Sequence, residues 1–132
     1  MANILVVDDE VEVSAAIRRV IERAGYAVTI AHNATEGFGA VARQQTDIVI
    51  TDIIMPKVHG VELIKQLREH HPRVRIIAIS GGGSFGPLGY KPEAISTHAY
   101  LAAAREAGAE EILTKPFDLT DLIAAVRRLL PN

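Results

Sequence analysis

Acidic residues, a hydroxyl and a lysine stand where short apolar runs end. Asp8 and Asp9, with Glu10 behind them, follow Ile4–Val7; Asp52 follows the run closing at Ile50; Ser80 follows Val74–Ile79; and Lys115 follows Glu111–Thr114. Taken singly, each has an ordinary use: Asp8 and Asp9 suit a helix N-cap, Ser80 a turn, Lys115 a solvated surface. Brought together, they have a different chemistry. Crowded carboxylates raise one another's pKa unless a cation lies among them. Mg²⁺ suits such a place, because it takes hard oxygen ligands, accepts few carboxylates and keeps several waters. A carboxylate can also accept a phosphoryl group as an aspartyl phosphate, and that transfer needs charge neutralisation on the equatorial oxygens. Besides the cation, the Lys115 ammonium, the Ser80 hydroxyl and the Gly81 backbone N–H could supply it.

The elements around these residues must place them at one edge. Five β-branched runs, 4–7, 27–30, 47–50, 74–79 and 111–114, read as strands; the first, third and fourth are continuously apolar, as strands covered on both faces are. Helical patterns alternate with them. Residues 11–24 carry Val13, Ala16, Ile17, Val20 and Ile21 on one stripe before Gly25; Asn33 with Glu36 reads as a capping box opening a helix to about Gln44; Val61, Leu63, Ile64 and Leu67 mark a third helix ended by Pro72. Tyr100, Leu101, Ala104 and Ala107 mark a fourth, closed by Gly108, and Asp118 opens a fifth ended by Pro131. Five βα units predict a doubly wound, flavodoxin-like parallel sheet with helices on both faces and strand order 2-1-3-4-5. In such sheets ligands bind at the carboxyl ends of the strands, which is where the acids, hydroxyl and lysine lie. The stretch from Gly81 to Ser96 is long for a βα connection and rich in Gly and Pro.

Composition narrows the classes. The chain has 132 residues, 48% hydrophobic and 23% charged, which suits one globular domain over residues 1–132 with no output domain. A net charge of -2 argues against direct nucleic-acid binding. The absence of Cys removes disulfides and cysteine-based metal or nucleophile sites. No apolar run reaches the length of a bilayer span, and the acidic start does not read as a signal peptide, so a cytoplasmic location is expected. His32, His59 and His98 lie far apart, which speaks against a histidine metal site. Gly81–Gly83 lacks the spacing and Lys-Ser/Thr of a P-loop.

The ordered set Asp8-Asp9, Asp52, Met55-Pro56 with Gly60, Ser80 and Lys115-Pro116-Phe117 resembles the response-regulator receiver domain over essentially the whole chain. The resemblance implies that Asp52 accepts the phosphoryl group. It implies that Asp8, Asp9, Asp52 and the backbone carbonyl of Ile54 hold Mg²⁺, and that Ser80 and Lys115 contact the phosphoryl oxygens. The donor would be a histidine kinase or histidine phosphotransfer protein and the output a downstream protein target, with self-phosphorylation and self-dephosphorylation as the only catalysis. Two departures stand out: Ile112 occupies a position usually aromatic in that family, and the loop after Ser80 is lengthened. Two rival classes are a metal-dependent phosphatase, against which Asp52 is followed by Ile53 and Ile54 rather than by an Asp-x-Asp pair, and a phosphorylation-independent interaction module, against which the full chemical set is present. A flavin-nucleotide binder is disfavoured by the acidic first βα turn.

Overall fold

In the computed structural model, residues 2–53, 60–80, 102–114 and 117–130 are described. The strands are β1 (Asn3–Val7), β2 (Ala27–Ala31), β3 (Ile48–Asp52), β4 (Arg75–Ser80) and β5 (Glu111–Thr114). They form one parallel sheet in the order β2-β1-β3-β4-β5, the order expected from the sequence. The helices are α1 (Val11–Arg23), α2 (Ala34–Arg43), α3 (Gly60–His70), α4, described over 102–107, and α5 (Leu119–Leu129).

Side-chain alternation along the strands divides the core in two. Leu5 and Val7 of β1, with Val49 and Ile76, pack under α2, α3 and α4; Ile4 and Val6, with Ile50 and Ile77, pack under α1 and α5. The three central strands are buried on both faces, which accounts for their unbroken apolar sequence.

Local signals account for most of the helix ends. Asn33 accepts a hydrogen bond from the Glu36 N–H at 2.8 Å, the first half of the expected capping box, while Glu36 reaches back past the Asn33 N–H to that of His32 at 2.9 Å. Gly25 and Gly108 stop α1 and α4 at φ +103° and +127°, a region that costs a residue with a Cβ but not glycine. Asp118 occupies the N-cap position of α5, yet its side chain makes no capping hydrogen bond. β3 runs two residues beyond the apolar stretch: Thr51 and Asp52 pair in register with Ala78 and Ile79. The ladder of backbone hydrogen bonds carries Asp52 inside the strand, where hydrophobicity alone gives no signal.

Candidate functional site

Asp8 lies one residue past β1 and is buried. Its N–H donates to the Ala31 carbonyl at the end of β2 (3.0 Å), and its Oδ1 accepts from the Glu10 N–H (2.9 Å). The helix-capping explanation for Asp8 and Asp9 does not hold, because Glu10 is the N-cap residue of α1: it makes no side-chain capping bond, and its carbonyl accepts the first intrahelical bond from the Ser14 N–H at 3.0 Å. Asp8 instead shapes the turn between β1 and α1.

Asp52 is also buried, and its backbone is held from several sides. The Thr51 hydroxyl donates to the Asp52 carbonyl (2.9 Å), and the Ile53 N–H donates to the Ile79 carbonyl of β4 (2.9 Å). The Gly60 N–H donates to the Ile53 carbonyl (3.1 Å), closing the excursion between β3 and α3. A Cβ at Gly60 would collide with the Asp52 carbonyl oxygen and lie 2.6 Å from Ile53 Cα. Only glycine allows the start of α3 to press this closely on the end of β3.

These turns bring carboxylate oxygens of Asp8, Glu10 and Asp52 within 4.8 Å of one another. Two of the acids are buried and Glu10 is half-buried. The all-oxygen donor set suits a hard divalent cation, and oxygens on opposite sides of an octahedral Mg²⁺ stand about 4.2 Å apart. Neighbouring ligands on such an ion stand closer, about 3 Å apart, so the three side chains would draw together around it. Asp9 is exposed and stands outside this group. Glu10 is the member that the sequence reading left among the rim acids without a ligand role; the signal available was its place two residues after Asp8, one turn across from the buried pair.

Ser80 is the last residue of β4 and pairs with Thr114, the last of β5, so both strands end at the same rim as Asp8 and Asp52. Lys115, Gly81 and Ile54 lie outside the described residues, as do the lengthened loop after Ser80 and the Met55-Pro56 pair. Ile112 pairs with Ala78 and is half-buried against the core beneath α2 and α3, and Phe117 packs on the opposite core beneath α1 and α5. Among the described residues, no helix is long and apolar enough to cross a membrane.

The sequence matches the family profile of the response regulator receiver domain over residues 4–88. It is 35% identical over 129 residues to the DNA-binding transcriptional regulator NtrC of Azospirillum brasilense, covering 98% of this chain and 24% of that protein. The chain spans half or less of the length of the curated relatives it matches. Among solved structures, the response regulator protein TrrA of Thermotoga maritima, in complex with Mg²⁺-BeF, superposes with a TM-score of 0.78 at 27% identity, covering 98% of this chain and 100% of that one. A response regulator protein from Burkholderia pseudomallei, with a phosphorylated aspartic acid, calcium ion and citrate, superposes with a TM-score of 0.76 at 26% identity, covering 95% and 66%.

Proposed function

The chain belongs to the response regulator receiver domain family of two-component systems, and we propose from this that it is a phosphorylation-dependent switch that takes a phosphoryl group on Asp52. The observation that carries the reading is the convergence of Asp8, Glu10 and Asp52 oxygens within 4.8 Å at the carboxyl rim, with the acceptor backbone fixed by Thr51, Ile79 and Gly60. A phosphorylated aspartate and a Mg²⁺-bound phosphoryl mimic in two relatives of the same fold support it.

A carboxylate oxygen of Asp52 attacks the phosphorus of a phosphohistidine. The bond to the imidazole nitrogen breaks, and that nitrogen keeps the electron pair. Asp8, Asp52 and an acid of the 9–10 turn, together with the Ile54 carbonyl, would hold Mg²⁺, which would supply charge neutralisation on the phosphoryl oxygens. The Lys115 ammonium, the Ser80 hydroxyl and the Gly81 N–H would be the donors to the same oxygens, as the family resemblance implies. The chain turns over only its own aspartyl phosphate, and its output is a change in which protein it binds.

A macromolecular phosphodonor also suits the surface beside the site. Val11 and Leu119, the first residues of α1 and α5, are the large apolar side chains left exposed among the described residues, at 64% and 37%. Both flank the rim and offer an apolar foothold for a histidine kinase or histidine phosphotransfer protein. Nothing in this reading calls on nucleic acid or a membrane.

Incubation with acetyl phosphate and Mg²⁺, followed by intact-mass measurement, tests the reading. One phosphoryl group per chain is expected with Mg²⁺, none with EDTA, and none in Asp52→Asn, whose amide is not a nucleophile. Undiminished labelling of Asp52→Asn would sink the assignment, and release of phosphate from an added phosphomonoester at many turnovers would favour the phosphatase instead.

A further inference from the structure

On the face away from α2, α3 and α4, a groove of 410 Å³ runs between α1 and α5, lined by Val20, Arg23, Ala24, Ile123, Ala124 and Arg127 along with Thr120. Its floor is apolar. Two alanines leave room between the helices that longer side chains would fill. Its flanks are cationic, and no acidic residue lines it.

Some arginines of the chain are held in ion pairs, while others, these two among them, are not. Arg18 pairs with Glu22 at 3.1 Å, Arg128 with Glu111 at 2.9 Å, and Arg68 and Arg75 both with Glu110. Arg23 and Arg127 are exposed and make no ion pair or side-chain hydrogen bond among the described residues. Each lies in the last turn of its helix, where a cation offsets the helix dipole. The dipole accounts for their sign but not for an open apolar floor between them.

From this combination we infer that the α1–α5 groove docks an acidic amphipathic helix of a partner protein, with aliphatic side chains on Val20, Ala24, Ile123 and Ala124 and carboxylates on Arg23 and Arg127. The groove takes in the last turn of α1 and runs along α5 from Thr120 to Arg127; none of the rim acids lines it, so the binding does not require phosphorylation. A helix presenting aliphatic residues at i and i+4 matches a groove between two helices. Unpaired guanidinium groups at its edge select carboxylate neighbours and reject basic ones. A second copy of this chain is a poor occupant, because an isologous contact through this face brings two copies of Arg23 and Arg127 to one seam. An apolar floor with only two cations is likewise a poor platform for a nucleic-acid backbone.

The test uses the whole unphosphorylated chain and a fluorescent synthetic helix with leucines at i and i+4 flanked by glutamates. Saturable binding by anisotropy is expected. The double variant Arg23→Glu/Arg127→Glu, which touches only exposed side chains, should weaken it roughly tenfold, the effect of reversing two surface ion pairs. A lysine-flanked version of the peptide should bind the double variant better than the parent chain. Ala124→Glu should remove binding, with an unchanged melting temperature showing that the fold is intact. The inference is overturned if the double variant binds as well as the parent, or if replacing the peptide's leucines with serine leaves its affinity unchanged. It is also overturned if duplex DNA or anionic vesicles bind the parent more tightly than the peptide, or if sedimentation shows a dimer that the double variant dissolves. Asp52→Asn should bind the peptide like the parent, so failure here and failure of the phosphorylation reading are told apart.

Discussion

The two ends of the sheet handle charge in opposite ways. At the amino end, the Arg68 guanidinium has five N–H donors, and each finds an acceptor. Nε and Nη2 donate to the Gly108 carbonyl (3.1 and 2.8 Å), Nη1 to the carbonyls of Pro72 (3.0 Å) and Val74 (2.8 Å), and Nη2 also to Glu110 Oε1 (2.5 Å). Glu110 Oε1 accepts in addition from the Ile76 N–H at 2.8 Å, and Arg75 stands 3.5 Å from its other oxygen. Opposite charges and carbonyls thus saturate one another and tie α3, β4 and the turn after α4 together. At the carboxyl end, like charges converge instead: Asp8, Glu10 and Asp52 share a 4.8 Å neighbourhood. Ionisable groups serve different purposes at the two ends, half-buried in the Arg68–Glu110 pair and fully buried at Asp8 and Asp52. A saturated pair fixes geometry and leaves no capacity for a ligand. Crowded carboxylates repel one another unless a cation lies among them, and such clusters are characteristic of functional sites.

Disrupting the amino end should produce the largest loss of stability. Arg68→Ala leaves Glu110 and several carbonyls without their donor. Arg68 and Glu110 side chains are 23% and 26% exposed, so the cost falls below that of a fully buried pair, at about 2–3 kcal/mol. A fall in melting temperature of about 6–12 °C follows. Arg68→Lys should recover only a minor part, since an ammonium cannot reach the four acceptors set around a planar fork. Phosphoryl labelling of Asp52 in folded Arg68→Ala should persist. A variant with the parent's melting temperature would show that the saturated network does not hold this end together.

Gly60→Ala carries the comparison to the carboxyl end. The added methyl meets the backbone of Asp52 and Ile53 rather than a side chain that can swing away. Overpacking of this kind costs about 1–3 kcal/mol. Its distinguishing effect is on chemistry: displacing the acceptor strand should slow labelling of Asp52 roughly tenfold or more, with the labelled mass unchanged at completion. If Gly60→Ala lowers the melting temperature but labels at the parent rate, the contact serves the fold alone.

The two ends were also unequally legible in the sequence. The rim could be read because it lies where apolar runs stop: Asp8 and Asp52 terminate segments whose composition defines strands, and strand order puts them side by side. The chain could not say which acid of the 8–10 turn comes inward, because that depends on the β1–α1 turn, where Asp8 Oδ1 takes the Glu10 N–H. The Arg68 network left no local trace. Gly108 and Glu110 are 40 and 42 residues from Arg68 in sequence, and only the register of β4 and β5 brings them together. Asp118 shows the reverse error. It has the residue type of an N-cap and sits at the right position, but its side chain makes no capping hydrogen bond.

The smallest expected differences, those among rim variants in their response to Mg²⁺, are the most discriminating for the rim. An ion that binds the folded state alone adds RT ln(1 + [L]/Kd), about 2.7 kcal/mol at a hundred times Kd. The melting temperature of the parent should therefore rise with millimolar Mg²⁺, and the same rise should persist in Arg68→Lys, whose altered charge network lies at the far end of the sheet. Asp52→Asn should lose most of the rise, because it removes a buried carboxylate from the ligand set. Asp9→Asn and Glu10→Gln should each reduce it by a smaller amount. Asp9 is exposed and Glu10 half-buried at the mouth of the cluster, and a charge that close still attracts the ion through partly screened solvent. The larger of the two losses identifies the directly coordinating side chain. A greater loss in Glu10→Gln fits the gathering of Asp8, Glu10 and Asp52, whereas a greater loss in Asp9→Asn means that the turn swings Asp9 inward as the metal arrives. Equal Mg²⁺ responses in the parent, Asp52→Asn and both mouth variants would remove the metal from this rim and, with it, the contrast between the two ends.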